Sequence, residues 1–174
     1  MSCLCLLDLS AAFDTIDRNI LITRLSSWFG IHGSVLNWFK SYLTTRSFRV
    51  KCDKDFSAEH NSSCGVPQAS VLGPLLFVMY TTLLSILISS LSLNHHLYAY
   101  DTELFFSFHP RNFDSSISHL QTAMRHISSW MSANLLTLNS STTEFLIIGP
   151  KQQLSKIDSS TQYHSFCTQP WFYL

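Results

Sequence analysis

The sequence predicts an α+β fold, an antiparallel sheet with helices packed on one of its faces. Three observations carry this. Compact apolar runs at residues 3–9, on either side of Asp101, and at 144–148 read as strands. Longer stretches repeat apolar residues every three or four positions, as helices do. The order strand, helix, helix, strand, loop, long helix, hairpin, helix, strand suits antiparallel pairing with helices set to one side.

The elements follow in order. Residues 3–9 are a buried strand with Asp8 near its end. Asp17 reads as a helix N-cap, followed by Ile20, Leu21, Leu25, Trp28 and Phe29 at helical spacing, with Gly30 as the stop. A second helix over 34–43 is expected to bury Val35, Leu36, Trp38, Phe39 and Tyr42. Residues 47–52 alternate as a strand and hold the basic cluster Arg46, Arg49 and Lys51, while polar residues 53–63 read as a loop. A loop at 65–70 leads into a long apolar helix over about 71–90. Residues 97–106 read as two short strands joined at a tight turn with Asp101 at its tip. Asp114 and Ser115 are placed to cap a helix whose apolar face is Ile117, Leu120, Met124, Ile127 and Met131. His119 and His126 lie two turns apart on it and read as surface histidines. Residues 144–148 are a last strand stopped by Gly149-Pro150, and 150–174 is a polar, loosely held tail with an aromatic end.

A chain of 174 residues, 46% hydrophobic and 13% charged, has the apolar content for a substantial core, which excludes disorder over most of its length. Its net charge of zero lacks the basic excess of a free-standing nucleic-acid binder, so autonomous nucleic-acid binding is expected to be weak. The five cysteines, Cys3, Cys5, Cys52, Cys64 and Cys167, make no paired CxxC set. That excludes zinc spacing and leaves reduced, mostly buried thiols in an intracellular protein as the simplest account. The opening run is too short and lacks the basic flank of a signal peptide. No Lys, Arg, Asp or Glu occurs over 60–100, and residues 71–93 are long enough to span a bilayer, so a single-span membrane protein is one reading. Gly73-Pro74, the serines Ser85, Ser89, Ser90 and Ser92, and the absence of close basic flanks speak against it.

Chemistry can reside where Asp8 and Asp101 end their strands. Each also has an ordinary reading as a turn residue. If the two strands are neighbours, the carboxylates meet at one end of the sheet. Oxygen donors of that kind suit Mg²⁺, which keeps waters and substrate phosphates in its shell, and two such ions clamp an in-line phosphoryl transfer.

Three stretches then occur in a telling order: Leu6-Leu7-Asp8-Leu9-Ser10-Ala11-Ala12-Phe13-Asp14, Gly65-Val66-Pro67-Gln68-Ala69-Ser70-Val71-Leu72-Gly73-Pro74, and Leu97-Tyr98-Ala99-Tyr100-Asp101-Thr102. They resemble the palm motifs of a reverse transcriptase from a non-LTR (LINE-type) retrotransposon. Trp38-Phe39-Lys40-Ser41-Tyr42-Leu43, Ser129-Trp130-Met131, Leu138-Asn139 and Thr143-Glu144-Phe145-Leu146 resemble the same family's connecting segments. The resemblance runs over about residues 6–149. It implies a polymerase palm whose activity is RNA-directed DNA synthesis by two-metal nucleotidyl transfer. Its partners would be an RNA template, a DNA primer and deoxynucleotides, with Mg²⁺ as cofactor. Asp8 and Asp101 would be metal-binding catalytic carboxylates. Phe13 would exclude a 2′-hydroxyl, and Gln68 and Ala69 would line the nucleotide and template pocket. The long apolar stretch becomes a palm helix, which disfavours the membrane reading.

The departures have consequences of their own. Tyr100 stands where the family has the first Asp of Tyr-Ala-Asp-Asp. A phenol, neutral near pH 7, is a poor substitute for a carboxylate on Mg²⁺. About 4 kcal/mol of lost transition-state stabilisation is already a thousandfold in rate, so activity is expected to be lost or strongly impaired. Ala69 replaces a glycine; if that position has positive φ, alanine costs roughly 1–2 kcal/mol or shifts the loop. Thr142 stands where the family often carries a lysine. Fingers and thumb are expected to be largely missing, leaving a partial palm over 1–149 and the tail over 150–174. A non-catalytic binding module, or the product of a decayed element, is the alternative. The location is expected to be intracellular, with nothing to separate nucleus from cytoplasm.

Overall fold

The computed structural model describes residues 1–44, 46–139, 141–154 and 172–173. In chain order its strands are β1 (Ser2–Leu7), β2 (Leu9–Ser10), β3 (Ser47–Phe48), β4 (Lys51–Cys52), β5 (Asp55–Phe56), β6 (His60–Asn61), β7 (Asn94–Tyr98), β8 (Asp101–Ser107), β9 (Thr137–Leu138), β10 (Glu144–Ile148) and β11 (Phe172–Tyr173). The helices are α1 (Arg18–Ser27), α2 (Gly33–Thr44), α3 (Gly73–Ser90), α4 (Phe113–Ala133) and the single turn α5 (Lys151–Leu154). The chain divides into two compact units, Met1–Ala12 with Thr82–Leu174, and Phe13–Thr81. Apart from α5 and β11, the expected tail, with Cys167, lies outside the described residues.

The first unit is built on a sheet of order β11-β10-β1-β8-β7. β10, β1, β8 and β7 pair antiparallel, and β11 runs parallel to β10. Strand residues alternate between faces, so register decides which side chains meet. Cys5 stands between Leu104 and Phe145, Cys3 opposite Ile147 and Leu7 opposite Thr102, and all of these are buried. The other face carries Leu4, Leu6, Glu103, Phe105 and Glu144, all half-buried or exposed. The apolar stripe of α4 is the one its spacing predicts: Ile117, Leu120, Met124, Ile127 and Met131 are buried, joined by Ala123. His119 and His126 are exposed. The cap differs from expectation. Pro110–Asn112 forms a 3-10 turn and Asn112 is the N-cap, so Asp114 lies inside the first helical turn. There its charge favours the N-terminal end of the helix dipole.

In the second unit, α1 starts as predicted: the Ile20 N–H donates to Asp17 Oδ1 at 2.8 Å. Leu21 and Leu25 are buried, but Trp28 and Phe29 lie beyond the last helical residue and are exposed. Arg24 is buried on the same helix, with its guanidinium 4.8 Å from the Tyr80 ring centroid and donating to the Tyr80 carbonyl. On α2 the expected burial is corrected. Only Leu43 is buried, and Val35 and Trp38 are more than half exposed. The α2 rings satisfy one another instead, Trp38 stacking on Tyr42 at 5.3 Å and meeting Phe39 edge-on at 5.2 Å. Residues 47–61 form a hairpin rather than a strand and a loop. β3 pairs with β6 and β4 with β5, and Asp53 adopts φ 52° at the turn. Polar composition hid β5 and β6, because an exposed ladder needs no apolar alternation.

Helix α3 has 18 residues and is apolar enough by length and composition to cross a membrane. Leu76, Phe77, Tyr80, Thr81, Leu84 and Ile88 form a buried stripe along it, while Leu75, Val78 and Ile86 are exposed.

Candidate active site

The site in the first unit begins where β1 stops. Asp8 lies between β1 and β2, and continuing the β1–β8 register by one step past Leu7 and Thr102 sets it opposite Asp101. Asp101 opens β8 and pairs with Tyr98 of β7. The turn itself is Ala99-Tyr100, with Ala99 at φ 51°, so Asp101 is the first strand residue rather than the tip. Pairing with Tyr98 and a place at the start of β8 give this carboxylate a fixed base while its side chain stays exposed.

Asp8 is held from the other flank. Its Oδ2 accepts from Thr142 Oγ1 at 2.7 Å and from Asn139 Nδ2 at 3.2 Å, and its carbonyl accepts the Asn139 N–H at 2.9 Å. The Asn139 carbonyl in turn accepts the Thr142 and Thr143 N–H groups and the Thr143 hydroxyl. Among the described residues, Asp8 Oδ1 and both Asp101 carboxylate oxygens accept no side-chain or backbone hydrogen bond, so they remain available to a ligand. In the sequence Thr142 stands out only as the position of a missing lysine. Its role as a donor to Asp8 has no sequence signal, since the two residues are far apart in the chain.

Asp8 and Asp101 line one cavity of about 380 Å³ with Leu6, Leu7, Thr102, Glu103, Thr142 and Glu144. Glu103 and Glu144 both stand opposite Leu6, one on each neighbouring strand. The lining thus carries four carboxylates and no lysine or arginine. Such a cavity favours a cation. No group of three or more His, Cys, Asp or Glu side chains close enough to hold a metal occurs among the described residues. The donors fit an ion that takes one or two protein carboxylates and fills its shell with water and phosphate, as Mg²⁺ does. They do not make an all-protein cage. Tyr100, at 40% exposure, puts a phenol directly before Asp101.

The remaining candidates belong to the second unit. Phe13 is half-buried, its ring 5.3 Å from that of Phe77, and its carbonyl accepts the Val66 N–H at 2.8 Å. Gly65 donates to the Ile16 carbonyl at 2.7 Å. Gly65 has φ +80°, and a Cβ there would lie 2.9 Å from the Asp14 carbonyl oxygen, so only glycine closes this approach. These bonds anchor the loop that carries Gln68 and Ala69, both exposed. Ala69 has φ 57°, so this loop position keeps the left-handed backbone that a glycine would take without strain. Gln68 lines a second cavity, of about 520 Å³, with Asp14, Arg18, Arg46, Phe48 and the strand-to-loop segment ending in Pro67.

Comparison with known proteins gives these positions a context. The profile described as reverse transcriptase (RNA-dependent DNA polymerase) matches residues 2–167. A probable RNA-directed DNA polymerase from transposon X-element of Drosophila melanogaster is 40% identical over 80 residues, covering 43% of this chain and 8% of that protein. A probable RNA-directed DNA polymerase from transposon BS of the same organism is 36% identical over 75 residues, with the same coverage of 43% and 8%. The chain therefore spans a small part of these relatives. In fold it is similar to a telomerase from Candida tropicalis, with TM-score 0.62 and 13% identity, over 83% of this chain and 30% of that one. A telomerase from Candida albicans, solved with a fragment of telomeric RNA, gives 0.63 and 12% over 83% and 27%.

Proposed function

This chain belongs to the reverse transcriptase (RNA-dependent DNA polymerase) family, and on that premise we propose that it keeps the carboxylate site of template-directed DNA synthesis with one ligand replaced. The observation that carries the reading is the placement of Asp8 and Asp101 in one cation-favouring cavity with Tyr100 directly before Asp101. In this reading Asp8 Oδ1 and the Asp101 carboxylate would hold Mg²⁺. When bound, the metal neutralises phosphate charge and lowers the barrier to in-line attack by a primer hydroxyl. Thr142 and Asn139 orient Asp8 by occupying its Oδ2. Tyr100 offers a neutral phenol where a second hairpin carboxylate would complete the donor set. A shortfall of about 4 kcal/mol in transition-state stabilisation lowers the rate about a thousandfold, which leaves this chain inactive or nearly so. Template RNA, primer DNA and deoxynucleotides are the partners that go with the site. Phe13 takes the sugar-excluding role and Gln68 the nucleotide contact, with Ala69 shaping the loop.

The test is Mg²⁺-dependent extension of a DNA primer on an RNA template, run with Mn²⁺ binding followed by electron paramagnetic resonance. Tyr100→Asp is expected to bind Mn²⁺ about tenfold more tightly than the native chain and to gain extension, about one added charge–charge contact in effect. Asp8→Ala in the Tyr100→Asp background is expected to abolish both gains. Native extension as fast as that of Tyr100→Asp, or Mn²⁺ affinity indifferent to Tyr100 and Asp8, overturns the reading.

A further inference from the structure

Strand β7 is an edge of the first unit's sheet, with a neighbour on the β8 side alone. Among the described residues, no backbone N–H or carbonyl of Asn94–Tyr98 bonds outside the β7–β8 ladder. The strand reads Asn94-His95-His96-Leu97-Tyr98, without the lysine or proline that commonly blunts such an edge. An edge left open in this way is a template for a further strand.

The hairpin decides which groups face outward. Its turn is Ala99-Tyr100, and the residues flanking a two-residue turn, here Tyr98 and Asp101, exchange the bonds that close it. Hydrogen-bonded and non-hydrogen-bonded pairs then alternate along the ladder. Asn94, His96 and Tyr98 therefore turn their backbone groups towards β8, and His95 and Leu97 turn theirs outward. An identical strand laid antiparallel against this edge overlaps all 5 residues in a single register. Asn94 then lies opposite Tyr98, His95 opposite Leu97, and His96 opposite its own copy. In that register the outward groups of His95 and Leu97 meet, and each such pair exchanges both of its hydrogen bonds. The edge is complementary to itself, so its occupant is a second copy of this chain. A net charge of zero sets up no long-range repulsion between the copies. Pairing also sets the ring of Tyr98, 73% exposed, against Asn94 of the other copy.

His96 falls on the two-fold axis as a non-hydrogen-bonded pair, the kind whose side chains come closest, about 4.5 Å between Cα atoms. Its side chain is exposed, and its Nδ1 lies 3.8 Å from Glu103 Oε2. A metal-bound imidazole commonly sets its other ring nitrogen against a carboxylate, so Glu103 leaves Nε2 for the metal. A pair of imidazoles suits Zn²⁺, the two Glu103 carboxylates balance its charge, and water fills the rest of the tetrahedron. Within one chain this donor set is incomplete, in keeping with the absence of a three-ligand group among the described residues. We propose that two copies of this chain pair antiparallel through β7 and hold one Zn²⁺ between their His96 side chains. Glu103 also borders the Asp8 cavity, so the test varies His96, which does not.

The experiment is sedimentation velocity of the full chain with Zn²⁺ or with a chelator, after alkylation of the accessible thiols so that they take no metal. The native chain is expected to dimerise about tenfold more tightly with zinc and to bind about one ion per two chains. His96→Ala is expected to lose the zinc effect. Leu97→Pro removes an outward N–H that only a second copy uses, an exchange that edge strands tolerate. It is expected to stay folded by circular dichroism and monomeric with or without zinc. His126→Ala, which removes an exposed histidine of α4, serves as the control and stays within about twofold of the native chain. Zinc-linked dimers kept by His96→Ala, dimers kept by Leu97→Pro, or zinc bound by monomers alone overturns the proposal. A native chain that stays monomeric with zinc overturns it too. Each of these results leaves the carboxylate reading to the Tyr100→Asp experiment, which does not involve His96.

Discussion

The Thr142 hydroxyl donates a 2.7 Å hydrogen bond to Asp8 Oδ2 across 134 residues of chain. This bond ties the β1 end to the turn before β10, so the carboxylate's position depends on the β1–β10 register. Thr142→Val, which keeps the shape and removes the donor, is expected to lower stability by about 1 kcal/mol in urea denaturation. Thr142→Ser retains the donor and should stay within about 0.5 kcal/mol of the native chain. Loss in Thr142→Ser with none in Thr142→Val would show that the methyl group, not the hydrogen bond, matters.

Asp101 shows the opposite economy. Its carboxylate accepts no hydrogen bond among the described residues and shares a cavity with Asp8, Glu103 and Glu144. Asp101→Asn is therefore expected to leave stability unchanged or raise it by about 0.5 kcal/mol at low salt, with the gain fading as salt rises. A loss above about 1 kcal/mol would mark Asp101 as a structural turn residue.

Ala69 and Ala99 sit at φ 57° and 51°. Replacing either by glycine relieves left-handed strain but adds backbone entropy to the unfolded chain, leaving a net gain of about 0.5–1 kcal/mol. Thermal melts of Ala69→Gly and Ala99→Gly check this, and a lowered midpoint in both would contradict the strain.

Thiol chemistry divides by burial. Cys3 and Cys5 are 1% exposed, and burial pushes the Cys3 thiol up to about 12. Cys52 and Cys64 are exposed, which corrects the expectation of mostly buried thiols. Peptide-resolved mass spectrometry after brief alkylation near pH 8 should find Cys52 and Cys64 modified and Cys3 protected until the chain is unfolded. Because its folded-state pKa is raised, Cys3's contribution to stability is complete below about pH 8.5 and declines as pH climbs towards 12. Rapid native labelling of Cys3 would contradict its place in the sheet core.

Arg24 holds α1 to α3 within the second unit through the Tyr80 ring and carbonyl. Arg24→Ala removes a buried stem, a cation–π contact and a donor together, and is expected to cost about 2–4 kcal/mol by urea denaturation. Arg24→Lys keeps the charge but not the planar fork, and should recover only part of this.

Local residue order was enough for much of the molecule. The α4 stripe from Ile117 to Met131, the Asp17 cap and the alternation along β1 and β10 are written in residues a few positions apart. Sterics and the helix and strand periods act at that range. Asp8 and Asp101 were legible as strand-end carboxylates for the same reason, and the motif order around them pointed to the family. The β3–β6 and β4–β5 ladders and the exposure of Trp38 were not, because the ladders lack apolar alternation and the exposure depends on which surfaces find a partner. Asn139 and Thr142 as the clamp on Asp8, and Arg18 and Arg46 on the wall of one cavity, are products of tertiary structure alone. Register and loop closure bring such groups together over tens to more than a hundred residues, and no local period encodes them.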